Sequence, residues 1–239
     1  DYNADGNLDL VTAIESSELA VLLGNGDGTF GAPQKTPLGE YPQVLRREDI
    51  NGDAVGDLLT MIPGSGVLRV HIGDGNGAFN LPFEIPVPNS GGDFTLADFN
   101  KDGAADLAVA GRYEFFYLLL GNGDGSFSER VLIEAGGSFL AAVSSIKAED
   151  FNEDGIPDLA AAGRRSLFSI LLGNGDGSFK EFREYGGGDS VNDFAAADLN
   201  EDGHLDIAVA NDGRDNVAIL TGNGDGSFNP RRDYDAGFR

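Results

Sequence analysis

Short apolar runs closed by glycine recur along the chain: ADLAVA then FFYLLL at residues 105–120, PDLAAA then FSILL at 157–172, and LDIAVA then VAIL at 205–220. Runs of about five residues are too short for stable helices, and their near-continuous apolarity predicts strands buried on both faces. Alanine is a poor strand former, yet it fills the first run of several units, as expected where strands crowd near an axis. A third segment, such as FAAADL ending at Leu199, precedes each pair, and a fourth, more polar segment follows it. Each unit is therefore expected to hold four strands.

Two motifs punctuate these runs at fixed spacing. D-x-N-x-D-[GA]-x-x-D spans Asp1 to Asp9, Asp49 to Asp57, Asp98 to Asp106, Asp150 to Asp158 and Asp198 to Asp206. A glycine motif follows each: GNGDGTF from Gly24, GDGNGAF from Gly73, and GNGDGSF from Gly121, Gly173 and Gly222. Such self-similarity marks a repeat architecture. Four antiparallel strands buried on both faces by neighbouring units predict the blades of an all-β β-propeller; a linear solenoid, whose coils usually run about 20–29 residues, is the alternative. With strands labelled A to D, the aspartate loop joins A to B and the glycine turn joins C to D. Both connections then lie on one face, and the B to C and D to A loops lie on the other. The chain reads as one repeat region over 1–239 with units starting near 1, 49, 98, 150 and 198. It begins inside one aspartate loop and stops before the next, which suggests a window from a longer chain. Five units are visible, giving a five-bladed ring or part of a seven-bladed one.

Oxygen side chains at alternate positions of a short turn suit a hard dication of calcium size, which takes about six to eight oxygens. Positions 1, 3, 5 and 9 supply side chains and position 7 a backbone carbonyl. The expected ligand sets are Asp1, Asn3, Asp5, Asn7 and Asp9; Asp49, Asn51, Asp53, Val55 and Asp57; Asp98, Asn100, Asp102, Ala104 and Asp106; Asp150, Asn152, Asp154, Ile156 and Asp158; and Asp198, Asn200, Asp202, His204 and Asp206. One Ca2+ per repeat, up to five, follows. Glycine at position 6 permits the positive φ that wraps the loop. The second loop has Ala54 there, so it is expected to bind most weakly. An EF-hand is excluded because position 12, which should be Glu, is Thr12, Thr60, Val109, Ala161 or Val209. The other reading of the loop is a set of Asx turns between strands. For the glycine motif the weights reverse: a hairpin turn with positive φ is expected, and an ion at Asp27, Asp124, Asp176 or Asp225 is the alternative.

Composition narrows the function classes. Forty acidic against 16 basic residues leave a formal charge of −24, which disfavours nucleic acid and anionic membranes. No cysteine is present, so disulfides, thiol nucleophiles and zinc–thiolate sites are excluded. No apolar run is long enough to span a membrane as a helix. The two histidines, His71 and His204, fall in different repeats without a repeated serine or carboxylate partner, so no catalytic constellation is expected.

DFNEDGIPDLA, DLNEDGHLDIAVA and LLGNGDGSF resemble the FG-GAP or VCBS repeat family, which forms the calcium-binding propeller of integrin alpha subunits and of many secreted proteins. The resemblance covers essentially the whole chain. It implies calcium in the A to B loops, a seven-bladed ring in most relatives, and an extracellular or cell-surface setting. It also implies a role in adhesion or lectin-like carbohydrate binding, or as a noncatalytic accessory domain of a secreted enzyme. A protein or carbohydrate ligand is expected on the face opposite the calcium loops, where sequences differ in every repeat. Arg112, Tyr113, Arg164 and Arg165 are the candidate contacts, since guanidinium offers bidentate bonds and aromatic rings stack on sugars.

Overall fold

Where the sequence alternates apolar runs with glycine and aspartate, the described residues form nineteen short strands that pair antiparallel within their sheets. The computed structural model describes every residue outside 15–16, 39–41, 63–64, 89, 112–114, 129, 135–142, 164–166, 189–190, 212–214 and 238–239. Among the described residues there is no helix. The first sheet holds β1 (Leu10–Ile14), β2 (Glu18–Leu22) and β3 (Gln34–Pro37). The second holds β4 (Val44–Glu48), β5 (Asp57–Met61), β6 (Val67–His71) and β7 (Phe83–Pro86). The third holds β8 (Ser90–Ala97), β9 (Asp106–Gly111), β10 (Phe115–Leu119) and β11 (Val131–Glu134). The fourth comprises β12 (Val143–Glu149), β13 (Asp158–Gly163), β14 (Leu167–Leu171) and β15 (Arg183–Gly186), and the fifth β16 (Val191–Ala197), β17 (Asp206–Asn211), β18 (Asn216–Leu220) and β19 (Arg232–Asp235). Strands pair in chain order, so each sheet is a meander and matches the expected A to D blade. The first lacks strand A.

The chain forms two compact units, one of Asp1–Asn89 with Gly121–Ser126, the other of Ser90–Leu120 with Phe127–Arg239. In the first unit, Tyr2, Leu19, Val21, Leu38 and Leu58 form a core against which Phe79 packs. In the second, one core gathers Phe99, Phe116, Ile146, Leu159 and Leu171, and another gathers Phe151, Phe168, Phe194, Val209 and Leu220. Both lie between successive sheets, and each buried phenylalanine contributes about 1.5–3 kcal/mol. Strands β9 and β13 are buried along their whole length, as the apolar runs ADLAVA and PDLAAA predict. Their alanines pack between sheets, and the A strands β8 and β12 also approach closely. There a Cβ on Gly92 would lie 3.1 Å from the Ser144 carbonyl oxygen. The fourth strands β3, β7, β11, β15 and β19 are four residues long and mostly exposed, and charge or proline on most of them discourages edge pairing.

Candidate metal centre

Each aspartate loop is wound by its own side chains. In the third, Gly103 donates its backbone N–H to Asp98 Oδ2 at 2.8 Å, Asp102 N–H lies 3.1 Å from Asp98 Oδ1 and 3.0 Å from Asn100 Oδ1, and Ala104 N–H reaches Asp102 Oδ1 at 2.8 Å. The amide of Asn100 donates to Asp102 Oδ2 at 2.7 Å. The position 6 amide meets the position 1 carboxylate again at Gly6, Ala54, Gly155 and Gly203, at 2.8 to 2.9 Å. The Asx turns of the other reading of the loop are therefore present, and they hold the loop oxygens in one repeated pattern.

Backbone conformation follows the sequence with one addition. Position 6 takes positive φ in every loop: Gly6 +85°, Ala54 +65°, Gly103 +88°, Gly155 +74° and Gly203 +92°. Position 4 does too, at Ala4 +57°, Gly52 +75°, Lys101 +60°, Glu153 +59° and Glu201 +61°. The second loop thus exchanges the two residue types, with Gly52 at position 4 and Ala54 at position 6. Each loop carries one side chain in the left-handed region, so Ala54 alone does not single out the second.

The position 9 carboxylate holds three chain segments together. Asp158 Oδ2 accepts the Phe151 N–H at 3.0 Å and Oδ1 accepts the Gly173 N–H at 2.8 Å. Asp57 does the same for Ile50 and Gly73 at 3.0 and 2.8 Å, Asp206 for Leu199 and Gly222 at 3.1 and 2.9 Å, and Asp9 for Tyr2 and Gly24 at 2.6 and 2.8 Å. One oxygen thus serves position 2 of the loop and the other the first glycine of the C to D turn. Burial raises the Asp57 carboxyl above the ordinary range and pushes Asp158 up to about 6; their amide partners oppose this, and the carboxylates at positions 1 and 5 add to the rise. Those neighbours are near enough to be felt electrostatically.

The donor set tests whether a cation fits. It comprises an exposed carboxylate at position 5, a position 1 carboxylate half-buried in every loop but the fifth, an Asn amide oxygen, a main-chain carbonyl and a position 9 carboxylate buried in every loop but the first, all oxygen, which suits a hard dication and no soft metal. Each carboxylate oxygen that accepts one N–H keeps a second lone pair. Among the described residues no three acidic or histidine side chains converge as a ready-made cluster, so a coordination shell here would have to draw on Asn and main-chain oxygens as well. In the fifth loop His204 at position 7 turns its ring away, with Nδ1 2.5 Å from Glu153 Oε1 of the fourth loop.

The glycine motifs form the expected hairpin turns. Gly26 and Gly28 have φ +77° and +85°, and Gly24 bridges Phe30 across the turn. Asp27, Asp124, Asp176 and Asp225 each accept the N–H two residues on, and their carboxyls are held low, chiefly by the Ser or Thr hydroxyl that follows. These turns also reach the preceding blade. The second glycine after the Asp or Asn donates to the position 2 carbonyl of the earlier loop: Gly77 to Tyr2 at 3.2 Å and Gly125 to Ile50 at 3.1 Å in the first unit, Gly177 to Phe99 at 3.1 Å and Gly226 to Phe151 at 3.0 Å in the second.

Three features escaped the sequence reading: positive φ at position 4, the two-handed position 9 carboxylate, and the bond from turn to neighbouring loop. A signal for the last was present, since position 2 is a large apolar residue in every loop, namely Tyr2, Ile50, Phe99, Phe151 or Leu199. The candidate ligand contacts Arg112, Tyr113, Arg164 and Arg165 lie outside the described residues. His71 lies in β6, fully buried, with Nε2 3.0 Å from Thr60 Oγ1.

The profile of the FG-GAP-like repeat matches residues 1–60, 49–109, 98–161 and 150–209. No curated protein sequence matches the chain. Among solved structures, an Agrocybe aegerita lectin described as recognising non-reducing terminal N-acetylglucosamine shares 20% identity at TM-score 0.68, over 98% of this chain and 64% of its own. BBS1N in complex with ARL6DN shares 15% identity at TM-score 0.61, over 97% of this chain and 65% of its own. The Vibrio cholerae biofilm matrix protein Bap1 shares 19% identity at TM-score 0.53, over 97% of this chain and 37% of its own. At these identities the likeness is one of propeller fold. The chain spans less than two thirds of the length of each.

Proposed function

We propose, from the premise that this chain belongs to the FG-GAP-like repeat family, that it is an extracellular binding module with structural calcium in its aspartate loops and a carbohydrate-binding surface on the opposite loops. One observation carries this reading. The A to B loops and C to D turns repeat the same hydrogen bonds blade after blade, as an architectural role demands, while the B to C and D to A connections differ in every repeat.

Oxygen-only donors on a short turn favour calcium over magnesium, which demands a near-ideal octahedron and sheds water reluctantly. Five dications change the formal charge from −24 to −24 + 10 = −14 and relieve self-repulsion that opposes folding. On the variable face, Arg112, Tyr113, Arg164 and Arg165 offer bidentate donors and a stacking ring in an otherwise acidic chain.

The lectin relative supports a sugar ligand, and the ARL6 complex of another relative makes a protein ligand the competing outcome. A glycan array probed in calcium and in chelator tests the reading. Binding should appear only with calcium and disappear when Arg112, Tyr113, Arg164 and Arg165 are all replaced by alanine, with calcium-dependent melting intact. Glycan binding that survives the quadruple substitution would place the site elsewhere, and a blank array would favour a protein ligand.

A further inference from the structure

We infer that the peptide at position 2 of each aspartate loop couples ion loading of that loop to docking of the next blade's glycine turn. The inference rests on the calcium reading above and assigns a role to residues that touch no ion. A single peptide unit joins the two events. The N–H of Phe99 is hydrogen-bonded to a buried carboxylate oxygen of Asp106, a candidate ligand, at 2.8 Å, and the Phe99 carbonyl accepts the Gly177 N–H at 3.1 Å. Phe151 stands in the same relation to Asp158 and Gly226, at 3.0 and 3.0 Å. In the first unit Tyr2 links Asp9 to Gly77 and Ile50 links Asp57 to Gly125.

Packing reinforces the bond. The side chain at position 2 meets the phenylalanine of the arriving turn edge to face, with ring centroids 5.7 Å apart for Tyr2 and Phe79, 5.5 Å for Phe99 and Phe179, and 5.9 Å for Phe151 and Phe228. A Cβ at the turn glycine would crowd a leucine or isoleucine tip of the blade it docks on, 2.5 Å from Leu172 at Gly226, 2.8 Å from Leu23 at Gly77, 3.1 Å from Leu120 at Gly177 and 3.2 Å from Ile72 at Gly125. Whatever fixes the position 9 carboxylate fixes the peptide it holds, and hydrogen bonds in series through one peptide strengthen one another.

The fifth loop is an internal reference. Tyr2, Ile50, Phe99 and Phe151 are at most 5% exposed, but Leu199 is 51% exposed, and no turn amide reaches its carbonyl among the described residues. The four turn amides dock on the first four loops and none on the fifth, so an ion in the fifth loop touches the seat of none of them.

Site-resolved amide hydrogen exchange in calcium and in chelator, with calorimetric calcium titration of the same proteins, tests the inference. Calcium should slow exchange at Gly77, Gly125, Gly177 and Gly226 by about tenfold, within the range typical of site-to-site coupling. In Asp102→Asn, which keeps the loop's amide acceptor, one calcium equivalent should be lost, and the calcium effect should vanish at Gly177 while persisting at Gly226. In Asp202→Asn one equivalent should also be lost with all four amides unchanged. The inference is overturned if Asp102→Asn loses its ion yet Gly177 keeps its calcium protection, or if either variant alters all four amides alike. If the unaltered chain takes up no calcium in the calorimeter, the calcium reading fails and this inference with it; that result is read without reference to exchange.

Discussion

Replacing His71 by leucine should make the protein less sensitive to acid. His71 is completely buried, its Nε2 is shared with the Thr60 hydroxyl, and Nδ1 has no partner. The corresponding residues of the other blades are Leu22, Leu119, Leu171 and Leu220, each facing an aliphatic residue across the B to C pair, as His71 faces Leu58. Burial, aided by the Arg69 guanidinium, pushes the imidazole down from its ordinary value near 6.5 to about 4. The folded state therefore binds the proton more weakly than the unfolded chain. Its stability is fully present above about pH 6.5 and is lost as the pH falls toward 4, by a limiting amount of about 3 kcal/mol. At pH 5 the loss is about 2 kcal/mol, equivalent to about 4–8 °C in melting temperature for a chain of this size. At pH 8, leucine removes an unpaired nitrogen but strands the Thr60 hydroxyl, so the two proteins should differ by only about 1 kcal/mol. Both should be melted at pH 8 and pH 5 in saturating calcium. The pH-dependent loss should be smaller for His71→Leu by the stated margin; parallel losses would show that the histidine is protonated in the folded protein and would refute the burial argument.

Ala54→Gly removes the side chain from a left-handed position and should stabilise the chain by about 1 kcal/mol in chelator, while Gly52→Ala should cost a similar amount; equilibrium denaturation reads both. Asp158→Asn should destabilise even in chelator, by about 2 kcal/mol, because one of two buried amides loses its acceptor, whereas Asp154→Asn should matter only when calcium is present. If both substitutions acted only through calcium, the tie attributed to position 9 would be wrong. Phe179→Ala removes a half-buried ring beside Phe99 and Phe116 and should cost about 2 kcal/mol, below the range for a fully buried phenylalanine, seen as earlier exchange at Leu107 and Leu118.

The blade was legible because its signals are local. Strand length is set by where glycine and aspartate interrupt an apolar run, and β9, β13 and β17 fall on ADLAVA, PDLAAA and LDIAVA as expected. Turn conformation was legible for the same reason, since only glycine takes φ near +80° at no cost, and the glycines of each turn do so. Position 4 was hidden because Lys101, Glu153 and Glu201 carry no mark of the left-handed conformation they adopt. Their strain is offset by the hydrogen bonds that wind the loop, a balance that residue type does not record.

The aspartate loop shows where reading by residue type stops. Counting oxygens ranks positions 1, 3, 5 and 9 alike, but burial separates them: positions 1 and 5 lie at the surface, while Asp57, Asp158 and Asp206 are fully buried and grip two amides each. A buried carboxylate with two amide donors is stable without a metal, since charge-assisted hydrogen bonds compensate its lost hydration. The burial that raises Asp158 to about 6 shows that the compensation is incomplete, and the carboxylates at positions 1 and 5 aggravate the deficit. A dication would remove the deficit from the side on which those carboxylates lie. The same aspartate thus serves the architecture through its amides and, on the calcium reading proposed above, would serve a cation through its remaining lone pairs, and no spacing rule could have divided those roles.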